Sequence, residues 1–245
     1  MKNVAAITIV VLMCSQAFGL SFMGAPKAEL EQGQYSFGID YSFSDTDVEL
    51  SGYGAKWTED IETNILFSNL NYGITDEWEG FLRLGFANVE ADDFNGDNEF
   101  AYGFGTKFTF AEQDAISWGV LLQISWLSSD DSGTIITDGH TVTGNQEIDI
   151  YEIQIAIGPT YETDGLKIYG GPFLHFVNGD YDWSGTVSGP IINGSGSFSL
   201  DIEQESVFGG YIGISADLTS NSNIGVEFQL TGDAQAIGVR YVLRF

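Results

Sequence analysis

The chain has 245 residues, 43% hydrophobic and 14% aromatic, with 31 glycines and one cysteine; this length holds one large β domain or two ordinary ones, and so aromatic a composition excludes a disordered chain. Eight basic residues against 35 acidic ones give a formal charge of -27, which excludes nucleic acid and any polyanion held by a basic patch. Past the N-terminus no uninterrupted apolar run approaches the ~18–20 residues of a spanning helix, which excludes a helical membrane bundle.

Residues 1–19 read as a secretory signal. Lys2 gives the positive start, Val4 to Met13 the apolar core, and Ala17-Phe18-Gly19 a small-x-small site with cleavage expected after Gly19. Met13 before Cys14 is too large for a lipoprotein signal. Cleavage removes Lys2 and Cys14, so the exported chain has no cysteine and must close its fold with hydrogen bonds rather than disulfides. Residues 20–34, with Pro26 and Lys27, read as a flexible lead-in, and residues 35–245 as one β domain.

From Tyr35 onward the apolar period is two. In Phe100 to Phe110 the large groups take most even positions and Ala101, Gly103, Gly105, Lys107 and Thr109 the odd ones; Ile116, Trp118, Val120, Leu122, Ile124 and Trp126 repeat the pattern. Ten such segments fall near residues 34–44, 60–73, 78–90, 99–110, 115–128, 147–161, 166–178, 203–218, 223–231 and 234–245. Short turns follow the even segments, at 74–77, 111–114, 162–165 and 219–222, expected on the periplasmic side, and most odd ones are followed by long acidic stretches, at 44–59, 91–98, 129–146 and 179–202, expected as external loops. Tight turns at one end and long loops at the other predict an antiparallel up-and-down transmembrane β-barrel of about ten strands, with eight as the alternative. Within the seventh segment, Gly170-Gly171-Pro172 predicts a bulge or widened pairing, since proline has no donor and a closed barrel has no free edge.

Aromatic residues recur eight apart on one face: Tyr35 and Phe43, Trp78 and Phe86, Tyr102 and Phe110, Trp118 and Trp126. Eight residues at ~3.3 Å, tilted by ~40°, rise ~20 Å, near the ~25 Å apolar band between the aromatic girdles of such barrels. The last strand places Ile237, Val239, Tyr241, Leu243 and Phe245 on one face and ends on the aromatic. In these features the chain resembles bacterial outer-membrane β-barrel proteins over nearly its whole mature length. The resemblance implies outer-membrane localisation, outer-membrane lipid as surroundings, and Tyr241, Leu243 and Phe245 as the signal read by the barrel-assembly machinery. Omptin proteases and some adhesins share ten strands, so no subfamily is singled out.

Opposite the aromatic face lie Asp40, Arg83, Gln123, Glu152, Gln154, Lys107, Lys167, His175, Glu205, Glu227, Gln229, Arg240 and Arg244. Five of the seven basic residues left after removal of Lys2 thus point inward, and Asp40, Glu79, Glu152 and Glu227 are carboxylates positioned to pair with them. The core of this charge network, Asp40, Arg83, Lys107, Glu152, Lys167, Glu227 and Arg240, serves either as paired filling or as an ion-selective constriction. Ten strands give a backbone radius of ~10 Å, and side chains fill much of that, which favours a filled lumen.

His140, in Asp138-Gly139-His140, and His175, with Asp180 five residues on, are the only imidazoles for a rim-active hydrolase. Asp93, Asn95, Asp97 and Glu99 alternate as oxygen ligands for Ca²⁺, but the stretch departs from an EF-hand loop, and its Asp, Asn and Gly residues favour the reading of a solvated turn. The reading is a non-enzymatic outer-membrane barrel without a required cofactor, with acidic external loops facing an extracellular ligand or surface. A narrow porin and a rim hydrolase are the alternatives.

Overall fold

The computed structural model describes residues 20–245 apart from 53–54, 92–93, 138–139, 190–192 and 205–206. Its strands in chain order are β1 (Tyr35–Gly52), β2 (Ala55–Gly73), β3 (Trp78–Ala91), the short β4 (Phe94–Asn95), β5 (Glu99–Gln113), β6 (Ile116–Thr137), β7 (His140–Thr163), β8 (Leu166–Ser188), β9 (Asn193–Gln204), β10 (Phe208–Thr219), β11 (Ser222–Leu230) and β12 (Ala234–Arg244). Every pairing is antiparallel, and β1 closes the ring by running from Ser36↔Arg244 to Thr46↔Ala234 against β12. The architecture is an up-and-down β-barrel.

Ten strands form the ring at the end carrying the tight turns: β1, β2, β3, β5, β6, β7, β8, β10, β11 and β12. The β11–β12 hairpin stops low, at Leu230 and Ala234, which leaves an opening above it. There β9 enters as an eleventh strand, pairing with β8 from Asn178↔Glu203 to Ser188↔Asn193 and with β1 from Val48↔Gln204 to Ser51↔Asp201. The eighth segment expected at 203–218 is therefore two strands, β9 and β10, flanking residues 205–206.

The stretches expected as loops at 44–59, 129–146 and 179–202 are largely strand. The β6–β7 ladder continues unbroken from Ile116↔Tyr161 to Thr137↔His140, and β1–β2 from Tyr35↔Tyr72 to Gly52↔Ala55. Alternation marks a strand only where one face is dry. Here Asp, Ser, Gly and Thr take most positions and the apolar side chains of one face, such as Tyr181, Trp183, Phe198 and Leu200, are too sparse to give a sustained period-two signal, while Thr134, Thr143, Thr186 and their cross-strand partners keep the pairing.

Residues 20–34 also depart from expectation: they thread the lumen. Leu20, Ser21, Phe22, Met23, Ala25, Ala28 and Leu30 are all buried, and the segment descends to the turn end, where Gln32 N–H donates to Asp76 Oδ1 at 2.9 Å. Gly33, at φ +84°, then reverses the chain into β1. A short polar stretch with a proline reads as a tail in sequence; what orders it is a wall of lumen side chains contributed by eight strands, β1, β3, β5, β6, β7, β8, β11 and β12.

The irregularity expected at Pro172 is present. The β7–β8 ladder is interrupted between Ala156↔Phe173 and Thr160↔Tyr169, where Ile157, Gly158 and Pro159 face Gly170, Gly171 and Pro172. A proline on each strand removes the donors, while Pro172↔Gly210 still holds the other edge of β8.

Candidate functional site

The outward face of the ring is an apolar belt. Tyr35, Trp78, Phe86, Tyr102, Phe110 and Trp118 are exposed and Phe43 and Trp126 half-exposed, with Leu66, Leu82, Leu84, Phe104 and Ile214 exposed between the two aromatic levels. Tyr241 and Phe245 lie on the same face, Leu243 half-buried beside them, and Phe245 N–H closes the last pairing to Tyr35 O at 2.9 Å. Exposed leucines and phenylalanines in a continuous belt are stable only against an apolar solvent.

Inside, the lumen is filled at three levels. At the turn end Glu29, from the threaded segment, accepts from Lys167 Nζ and Arg240 Nη2, both at 2.9 Å, with Lys107 Nζ at 3.8 Å. Burial alone would raise the Glu29 carboxyl, but Lys167, Arg240 and Lys107 together hold it well below the ordinary carboxylate range. Its own N–H donates to Glu79 Oε2 at 2.8 Å. Lys27 pairs with Glu162 at 2.9 Å at the mouth. Gly24 sits at φ +80°, the left-handed region that favours glycine, where the segment passes the Arg240 guanidinium.

At mid-height the chain is held by side chains of the wall. Glu227 accepts the N–H groups of Met23 and Gly24 at 2.9 and 2.8 Å, and Ser42 Oγ that of Phe22 at 2.8 Å. Ser21 Oγ bonds to Glu152 and receives Arg83 Nη1 at 3.2 Å and Gln123 Nε2 at 3.1 Å, while Gln229 Nε2 donates to Ser21 O at 2.9 Å. Arg83 is itself paired with Asp40 at 2.7 Å and lies 4.2 Å over the Phe67 ring. His175, fully buried, places Nε2 3.4 Å from Glu152.

The upper level is apolar. Ile61, Val89, Ile148, Ile150, Val177 and Ile202, drawn from β2, β3, β7, β8 and β9, form one contiguous cluster with Tyr181 against it. It covers the polar layer from above.

The seven residues of the expected charge network thus all face the lumen, but they do not form one network. Asp40 and Arg83 are one pair; Lys107, Lys167 and Arg240 converge on Glu29; Glu227 binds backbone; Glu152 faces Ser21 and His175. Glu29 was missed because its segment carries no strand pattern, and the only signal for it was an unmatched surplus of inward cations at the turn end.

His175 points inward and Asp180 outward on the same strand, so they are not partners. The His140 side chain, Asp93 and Glu205 lie outside the described residues. Asn95 N–H bonds to Asp131 Oδ2 at 3.3 Å and Asp97 N–H to Asp130 O at 2.8 Å, folding that stretch onto β6. Asp97 and Glu99 are exposed, and among the described residues no three acidic, His or Cys side chains converge as a metal site.

Above the belt, the outer face of β6–β9 carries carboxylates in register. Asp149↔Asp180↔Asp201 form one row, and Asp130↔Glu147↔Asp182 the next. All six are exposed. The lower row rims a groove of about 400 Å³ whose floor includes Phe100, Tyr102, Trp126 and Tyr151.

No protein-family model matches the chain, and no curated protein matches it. Among solved structures it is similar to the translocator domain of the autotransporter NalP from Neisseria meningitidis, at 9% identity and TM-score 0.47, covering 100% of this chain and 94% of that one. It is similar also to the outer-membrane protease OmpT from Escherichia coli, at 10% identity and TM-score 0.44 over 86% and 94% of the two chains. A third, the outer-membrane protein OprG from Pseudomonas aeruginosa, shares 11% identity and TM-score 0.39 over 88% and 97%. All three are bacterial outer-membrane β-barrels.

Proposed function

We propose that this chain, an outer-membrane-type β-barrel by fold, is a non-conducting, non-enzymatic barrel whose external β6–β9 extension meets a ligand or surface outside the cell. The observation that supports it is the filled lumen: a charged layer around Glu29, a hydrogen-bonded layer around Ser21 and an apolar layer at Ile148 and Ile202 lie in series. A conducting path needs continuous polar space, and the apolar layer interrupts it. His175 faces this sealed interior, where a substrate has no access. The acidic rows stand just above the upper aromatic level, where an outward face passes from lipid to water.

The test is conductance of the purified protein in a planar bilayer. The reading expects no unitary current steps under modest voltage. Reproducible, ion-selective steps would replace it with the narrow porin.

A further inference from the structure

Of the carboxylates lining the lumen among the described residues, Glu152 is the one with neither a permanent cation nor a backbone N–H against it: Asp40 has Arg83, Glu29 has Lys107, Lys167 and Arg240, Glu79 accepts the Glu29 N–H, and Glu227 those of Met23 and Gly24. Among the described residues, five carboxylates are buried there, Asp40, Glu79, Glu152, Glu227 and Glu29, against four permanent cations, Arg83, Lys107, Lys167 and Arg240. Arg83 is committed to Asp40 at 2.7 Å, and the other three cations gather on Glu29 at the turn end. What faces Glu152 is the Ser21 hydroxyl and His175 Nε2 at 3.4 Å, whose Nδ1 has no hydrogen-bond partner. Glu152 is 2% exposed, and an ionised carboxylate so buried is costly without a counter-charge.

One residue before Ser21 stands Leu20, 0% exposed, a member of the buried apolar cluster that also holds Leu121, Ala156, Tyr169, Phe173 and Tyr211. Its peptide nitrogen is the point at which the sequence predicts cleavage after Gly19. We propose that removal of the signal creates the missing cation: the α-ammonium of Leu20 is the buried counter-ion of Glu152, so maturation completes the lumen and fastens the threaded segment. The cleavage is ordinary peptide hydrolysis, in which water adds across the Gly19–Leu20 bond, giving a Gly19 carboxylate that departs and the amine that stays. A chain uncleaved there carries a neutral amide in this place. The inference rests on export through the proposed outer-membrane pathway.

The first measurement is the intact mass of protein extracted from outer membranes. It should correspond to a chain beginning at Leu20; a different start overturns the proposal. Protein processed at Leu20 but recovered from a soluble fraction would overturn the membrane reading while leaving the inference standing. The second is a cycle read by heat-modified mobility on unheated gels, using the processed chain, Glu152→Gln, a refolded chain with one extra Met before Leu20, and the two changes combined. The extra residue should lower the melting temperature of the Glu152 chain and have no further effect in Glu152→Gln. Independent, additive effects overturn it, as does coupling of Glu152→Gln to His175→Gln with no effect of the extra residue. Should the extended chain fail to fold, amine acylation decides: the Leu20 amine should react at least about tenfold more slowly in folded than in unfolded protein, as expected for a group that opens rarely. Equal rates overturn the proposal.

Discussion

Asp40 on β1 and Arg83 on β3 meet at 2.7 Å across the intervening strand β2, whose Asn69 donates to the same carboxylate. Strands two apart bring their inward side chains together because the ring is narrow, and both residues are almost wholly buried. The pair therefore fixes curvature as well as charge. Replacing Arg83 with Met leaves Asp40 unpaired in a closed interior, which costs about 3–5 kcal/mol. The folded, heat-resistant band of Arg83→Met should melt at clearly lower temperature, and Asp40→Asn combined with it should recover part of the loss. If Arg83→Met melts as the parent does, the interior is hydrated and the filled-lumen reading is wrong.

Glu29 makes the stability of the barrel depend on acid. Its carboxyl is depressed in the folded state by Lys167, Arg240 and Lys107, against the opposing effect of burial. A depressed carboxylate contributes stability that is complete above its unfolded pKa and is lost as pH falls through the folded value. The loss should therefore begin below about pH 4.5, the ordinary value for this group. Glu29→Gln should be less stable at neutral pH and show a flatter profile on acidification. Denaturant unfolding at pH 7 and pH 3 in detergent checks both expectations.

At the interrupted part of the β7–β8 ladder the two backbones crowd together. A Cβ on Gly158 would lie 1.9 Å from Gly170 O, a separation no relaxation of a flexible side chain relieves. Gly158→Ala should cost more than the ~1 kcal/mol typical of a single substitution, whereas Gly133→Ala, with open space around it, should be close to neutral. Equal melting of the two variants would contradict the close approach.

The acidic rows carry a cost of their own. Asp180 stands directly opposite Asp149 on one side and Asp201 on the other, and like charges in such positions repel. Asp180→Asn should raise stability by a few tenths of a kcal/mol to ~1 kcal/mol, an effect that shrinks in high salt as screening removes the repulsion from the parent. Loss of stability on this substitution would show that the carboxylate has a favourable partner.

The sequence by itself determined the barrel, its two aromatic levels and the inward set from Asp40 to Arg240, because a wall with lipid on one side and packed side chains on the other imposes period two on every strand. It determined the irregularity at Pro172 as well, since a missing N–H is a covalent fact. Tertiary structure decided the rest. The extensions at 129–146 and 179–202 are mostly Asp, Ser, Gly and Thr, with apolar side chains too sparse on one face to set a readable alternation, and their pairing depends on the partner strand. β9 was invisible because its place in the ring exists only where the β11–β12 hairpin stops short. Residues 20–34 carry no periodic signal, and their order comes from Glu227, Ser42, Thr109 and Glu79, which wait at fixed heights on strands far away in the chain. A segment held by side-chain acceptors rather than by a ladder leaves no pattern in its own sequence, which is why Glu29 emerges as the centre of the lumen charges only once the wall is closed around it.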